Sequence, residues 1–170
     1  MIFLMKANSF YLNIYIKTAI DKMELLLRKA TQNDADLTFE IEQSSFKEYS
    51  DAVYTTEIKS HRKEFDFENI QIVEFEKQSI GYLEMDEKYH SFEILNIMIQ
   101  KDFQNQGFGR QLLNIVIEDG RRKSKGIELQ VLKNNPKAKR FYENSGFQVY
   151  FETEFEYKMK FSHASRIFRN

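Results

Sequence analysis

Between residues 92 and 132 the hydrophobic period changes twice, and no other feature narrows the possible fold as much. Residues 92–99 read as a strand, with Leu95, Ile97 and Ile99 alternating onto one face. Residues 104–110, Gln104-Asn105-Gln106-Gly107-Phe108-Gly109-Arg110, form a glycine-containing turn. Residues 107–123 then read as a helix with Phe108, Leu112, Leu113 and Val116 on one side, and 127–132 as a second strand. A strand, a tight turn, an amphipathic helix and another strand in direct succession point to an α/β chain.

The flanks extend the pattern. A short strand is expected over 25–28. Thr31 to Asp36 supply helix-capping residues, and Leu37, Ile41 and Phe46 continue a helical stripe. A weaker helix is expected over 51–65, and strands over 70–75 and 80–85. Residues 136–144 read as a helix, because Asn135 is a good N-cap, Pro136 sits at the first helical position and Gly146 follows the end. Strands over 147–151 and 155–160 complete the order β-α-α-β-β-β-α-β-α-β-β.

The length of 170 residues suits one domain. The 25 basic and 26 acidic residues nearly cancel, which argues against a nucleic-acid partner. The chain has no Cys, so disulfides, thiolate metal sites and Cys nucleophiles are excluded; a reducing compartment, the cytoplasm, is the expected location. His61, His90 and His163 stand alone, without metal-ligand spacing, and no metal is expected. No Gly-x-Ser-x-Gly elbow is present. No apolar run approaches the ~18 residues of a membrane span. Residues 1–22 are expected to be a peripheral extension, 23–160 the domain and 161–170 a tail.

The turn carries chemistry. Glycine lets the backbone approach a ligand closely, and a helix start presents unpaired N–H groups and a positive dipole end suited to phosphate. Arg110 in the first helical turn opposes that dipole unless an anion is held there. The turn lacks the Gly-Lys-Ser/Thr ending of a P-loop and the third Gly of a dinucleotide fingerprint. About 30 residues later comes Asn135-Pro136-Lys137-Ala138-Lys139-Arg140-Phe141-Tyr142-Glu143-Asn144-Ser145-Gly146-Phe147. Read by itself, Asn135 is a helix cap. Tyr142 is a half-buried aromatic beside Phe141, and Glu93 a solvent-facing strand residue near a turn. Asn96, polar in an apolar run, lines a pocket or satisfies a strand irregularity.

Together, Gln-x-x-Gly-x-Gly and Asn-x-x-Ala-x-x-x-Tyr…Gly-Phe resemble the coenzyme and acid motifs of the GNAT superfamily of N-acetyltransferases. The resemblance covers roughly residues 23–160. It implies a central mixed, mostly antiparallel sheet of about seven strands with helices on both faces and a splay between the fourth and fifth strands. It implies acetyl-CoA as co-substrate. The backbone of Gln104, Asn105, Gln106, Gly107, Phe108, Gly109 and Arg110 would hold its pyrophosphate. Asn135 and Ala138 would join the coenzyme site, and Ile97, Met98 and Ile99 would line the pantetheine arm beside a bulge. Tyr142 is the implied general acid for the departing thiolate. Glu93, 11 residues before Gln104, is the implied base for the amine. Two departures stand out: Gln106 replaces a common Arg or Lys, and Glu156 stands where many members carry His. The implied activity is direct acetyl transfer to a primary amine in a ternary complex, on a monomer or homodimer without a membrane partner. A catalytically silent acyl-CoA-binding module on the same fold is the alternative. Residues 36–68 hold nine acids and four bases, with Tyr49 and Tyr54 among them. That balance fits a small cationic acceptor, such as a polyamine or aminoglycoside, ahead of a protein amine.

Overall fold

The strand that leads into the glycine turn lies in the middle of the sheet. A computed structural model describes residues 25–46 and 66–161. The expected extension over 1–22, the helix over 51–65, Tyr49, Tyr54, and the tail beyond Phe161 lie outside the described residues. Seven strands pair in the order β1-β2-β3-β4-β5-β7-β6. They are β1 (Leu26–Lys29), β2 (Ile70–Phe75), β3 (Gln78–Glu87), β4 (Ser91–Ile99), β5 (Gly126–Leu132), β6 (Phe147–Glu152) and β7 (Glu156–Phe161). Every neighbouring pair is antiparallel except β4 and β5, which run parallel. The helices are α1 (Ala35–Phe46), α2 (Phe108–Arg122) and α3 (Pro136–Glu143).

The two sheet faces are covered separately. On one, α2 buries Phe108, Leu112, Leu113, Val116 and Ile117 against Val73, Ile80, Leu83, Ile94, Ile127, Leu129 and Met159. Ala138, Phe141 and Tyr142 of α3 pack onto the same core. On the other, Ile41 and Leu37 of α1 meet Ile70, Ile72 and Tyr82, with Met98 at the margin. The Tyr82 hydroxyl donates to Glu42 Oε1 at 2.8 Å and ties α1 to the sheet. The start of α1 is stapled through a short 3₁₀ turn: Arg28 bridges Asp34 and Glu74, each at 2.7 Å, while Asp34 accepts from the Thr31 backbone and hydroxyl.

β4 does not alternate as its sequence suggests. Glu84 of β3 faces Asn96 and Met85 faces Ile94, so Leu95 is an unopposed bulge residue. The extra residue shifts the side-chain phase by one position. Ile94, Ile97 and Ile99 share the α2-side core, whereas Leu95 is 43% exposed. The expectation that Leu95 shares their face is thereby corrected. Asn96, next to the bulge, donates to Glu84 Oε2 at 2.5 Å, so it pairs across the irregular stretch.

Candidate active site

β4 and β5 pair through only four residues, from Ser91 with Gly126 to Ile94 with Leu129. Beyond that point they diverge, and β4 runs on through Leu95–Ile99 with β3 as its strand partner and, among the described residues, none on the β5 side. The bulge sits at the apex of this fork. A backbone edge without a strand partner leaves N–H and C=O groups for something else to bond. Ile97 and Met98 are half-buried along this edge, and Ile99 is buried.

The fork opens toward the glycine turn. Gln104 Nε2 donates to the Ile99 carbonyl at 2.8 Å, and Gln106 Nε2 donates to the Asp102 carbonyl at 2.7 Å. Both glutamine side chains therefore shape the turn from within. Asn105 and Gly107 take positive φ values of 61° and 91°. Gly107 is the N-cap of α2 and offers no side chain to its first turn, and the first helical bond runs from Gln111 N–H to the Gly107 carbonyl. The amides of Phe108, Gly109 and Arg110 meet no acceptor among the described residues. A Cβ built on Gly107 would find no atom within 4 Å, so the space above the turn is open. Phe108 is buried, its ring 4.8 Å from that of Phe75, and anchors the turn in the core. Arg110 is exposed in the first helical turn. Open amides, a dipole end and a cation form a cradle that fits a diphosphate.

In α3, Asn135 Oδ1 accepts the Ala138 N–H at 2.9 Å, so the capping role is realised and Ala138 offers its methyl rather than its amide. Tyr142 packs edge-on against Phe141 and Phe147. Its hydroxyl meets no hydrogen-bond partner among the described residues, and burial pushes its pKa up to about 12. Lys139 pairs with Glu143, and Arg121, Arg122 and Lys123 pair with acids at the opposite end of α2 from the turn.

Glu93 lies on the opposite face of the sheet, in the last paired stretch before the bulge. It is bridged by Lys88 and accepts from Gln130 Nε2 at 3.2 Å. The Lys88 ammonium, the largest influence, holds its carboxyl below the usual range. A raised pKa would suit the base better, and the geometry gives the reverse. Tyr142 and Glu93 share no contact: Tyr142 packs on the α2-side core and Glu93 projects from the other face of the sheet. The expected site thus divides into a coenzyme side with the turn, Asn135, Ala138 and Tyr142, and an opposite side with Glu93. Lys88 and Gln130 were missed from the sequence. The signal for Lys88 was its place in a tight β3–β4 connection, closed by Lys88 N–H to the Ser91 carbonyl at 2.8 Å.

A family model described as an acetyltransferase (GNAT) domain matches residues 66–149, the span from the start of β2 into β6. Over these residues the chain matches the GNAT family. Solved structures agree on the fold. The PaiA N-acetyltransferase of Thermoplasma acidophilum, in complex with coenzyme A, is 19% identical, covers 83% of this chain and 100% of its own, and superposes with a TM-score of 0.68. An acetyltransferase of Thermus thermophilus is 20% identical, with 82% and 97% covered and a TM-score of 0.69. The ribosomal-protein-S18-alanine N-acetyltransferase of Escherichia coli is 20% identical, with 86% and 100% covered and a TM-score of 0.61. No curated protein matches the chain. Among the described residues, no helix is long and apolar enough to cross a membrane, and no three His, Asp or Glu side chains group as metal ligands.

Proposed function

We propose that this chain transfers the acetyl group of acetyl-CoA to a primary amine by direct attack in a ternary complex. The observation that carries the reading is the open-amide turn at Gly107–Arg110 standing at the mouth of the β4–β5 fork. The turn and Arg110 hold the diphosphate, with Gln104, Asn105 and Gln106 setting its shape. The free edge at Ile97, Met98 and Ile99 receives the extended arm, and Asn135 and Ala138 flank it. Acetyl-CoA supplies the activated thioester. Glu93 takes the proton of the acceptor amine, directly or through water, from the other face. Tyr142 donates a hydrogen bond to the departing thiolate. A thiolate whose thiol has pKa ~8.5 is a weaker base than a phenolate whose phenol lies at about 12. The proton therefore rests on the phenol, and Tyr142 works by stabilising the thiolate rather than by full transfer.

The acceptor is a small cationic amine ahead of a protein amine. The nine acids of residues 36–68 support the first; the likeness to an enzyme named for ribosomal protein S18 alanine keeps the second in view. We place the protein in the cytoplasm. The test is free-CoA release with a panel of spermidine, an aminoglycoside, an alanyl peptide and a lysyl peptide. Turnover with any of them supports the transfer reading. The competing reading, a silent acyl-CoA-binding module, draws on the Lys88 bridge that occupies Glu93. It predicts a melting shift with acetyl-CoA, ~2.7 kcal/mol of stabilisation at ~100 times the dissociation constant, and no CoA release with any amine. Absence of that shift would sink both.

A further inference from the structure

Asp86 of β3, Glu93 of β4 and Glu128 of β5 are direct cross-strand neighbours. Three carboxylates thus stand in one row across the sheet, at the last turn of pairing before the fork. Like charges placed opposite one another repel, and such a row, left alone, favours protonation of its central member. Glu93 is that member. It is also the more enclosed member of its ion pair: its side chain is 19% exposed, against 55% for Lys88.

We propose that Lys88 is a positioning residue of the transfer site, whose ammonium keeps the Glu93 carboxylate ionised within this row of three acids. The inference rests on the reading of Glu93 as proton acceptor. Lys88 reaches Glu93 from the β3–β4 connection, with Asp86 and Glu128 close enough to act on its charge. The remaining groups around Glu93 do not replace it. Gln130 of β5 is a neutral donor at 3.2 Å. Lys158 of β7 acts on Glu93 only through space. Tyr150 of β6 turns its hydroxyl to Glu128 Oε2 at 3.5 Å. Without Lys88, no other cation among the described residues bridges the row at Glu93. A carboxylate set between two others keeps its charge as pH falls only with such a partner, at the expense of the proton affinity that a base uses, and the partner sits on an exposed, yielding side chain so that the acceptor is not shut out.

The test uses the full chain as wild type, K88M, K88R and E93Q. Side-chain carboxyl carbon NMR, with the Glu93 signal assigned by its loss in E93Q, follows its titration. In parallel, kcat/KM is measured against pH with acetyl-CoA and the panel amine of highest turnover. Glu93 is expected to titrate below an ordinary Glu in wild type and K88R, and above it in K88M. The K88M rate at about pH 5, relative to its own rate at about pH 8, should fall several-fold more than in wild type, and K88R should restore the wild-type profile. The proposal is overturned if the Glu93 titration is the same in K88M as in wild type. It is equally overturned if the titration moves but the rate profile does not while E93Q is slow. Wild-type turnover in E93Q overturns the proton-acceptor reading itself, an outcome separate from both.

Discussion

Replacing Tyr142 with Phe removes one oxygen and nothing else, and the surroundings of that oxygen set opposite expectations for stability and for rate. The phenol is enclosed by Phe141 and Phe147 and by the core under α3, and its hydroxyl meets no acceptor among the described residues. Burying a hydroxyl without a partner costs ~1–3 kcal/mol in mutational data, and a half-buried one costs toward the lower end. Y142F should therefore be as stable as wild type or more stable by up to ~1 kcal/mol, a rise in Tm of ~2–4 °C for a chain of this size. A donor of this kind contributes ~10²–10⁴-fold in rate. With the phenol at about 12, the contribution comes from hydrogen bonding rather than proton transfer, which places the expected loss in kcat near ~10²-fold, or ~2.7 kcal/mol. Urea denaturation reads the first expectation, CoA release the second, and the acetyl-CoA melting shift checks that coenzyme still binds. The reasoning fails if Y142F loses more than ~1 kcal/mol of stability, because the hydroxyl then has a partner in the folded protein. It fails as well if turnover stays within about threefold of wild type.

The turn and the α1 staple give two further expectations. Gly107→Ala meets no steric neighbour but must hold φ at 91°; it should cost ~1–2 kcal/mol and shrink the acetyl-CoA melting shift, both read by thermal denaturation with and without ligand. Asp34 is held at about 2, against an ordinary 3.8, chiefly by its hydrogen bonds from Arg28. A lowered carboxyl pKa contributes stability above the unfolded value that is lost as pH falls through the folded one. About 2 kcal/mol should therefore disappear between about pH 5 and pH 2 in wild type, and Asp34→Asn should lack that part of the acid dependence in urea titrations.

How much was legible depended on how local the cause was. α3 could be read nearly to the residue because Asn135, Pro136 and Gly146 all act within one or two turns of where they stand. α2 was equally plain, since the stripe of Phe108, Leu112, Leu113 and Val116 continues unbroken to its basic end at Arg121 and Arg122. β4 was misread in phase. Apolar residues fill both of its faces, so nothing in Ile94-Leu95-Asn96-Ile97 marks which residue is extra; the pairing with Glu84 and Met85 decides it. The environment of Glu93 was hidden for the same reason. Its proton affinity follows from Lys88 across a connection and from Gln130 and Lys158 on two other strands, a register that no single segment encodes.

On the proposed reading, the stretch of β4 from Leu95 to Ile99 would also act as a ruler. Five residues at ~3.3 Å each make a straight edge of ~17 Å between the apex of the fork and the approach to the glycine turn. A donor gripped by its charged end at the turn can bring a reactive group to the apex only if the linking arm has about that length. Selection of the acyl carrier would then be a matter of measured reach, and it would not require the acyl group itself to be recognised.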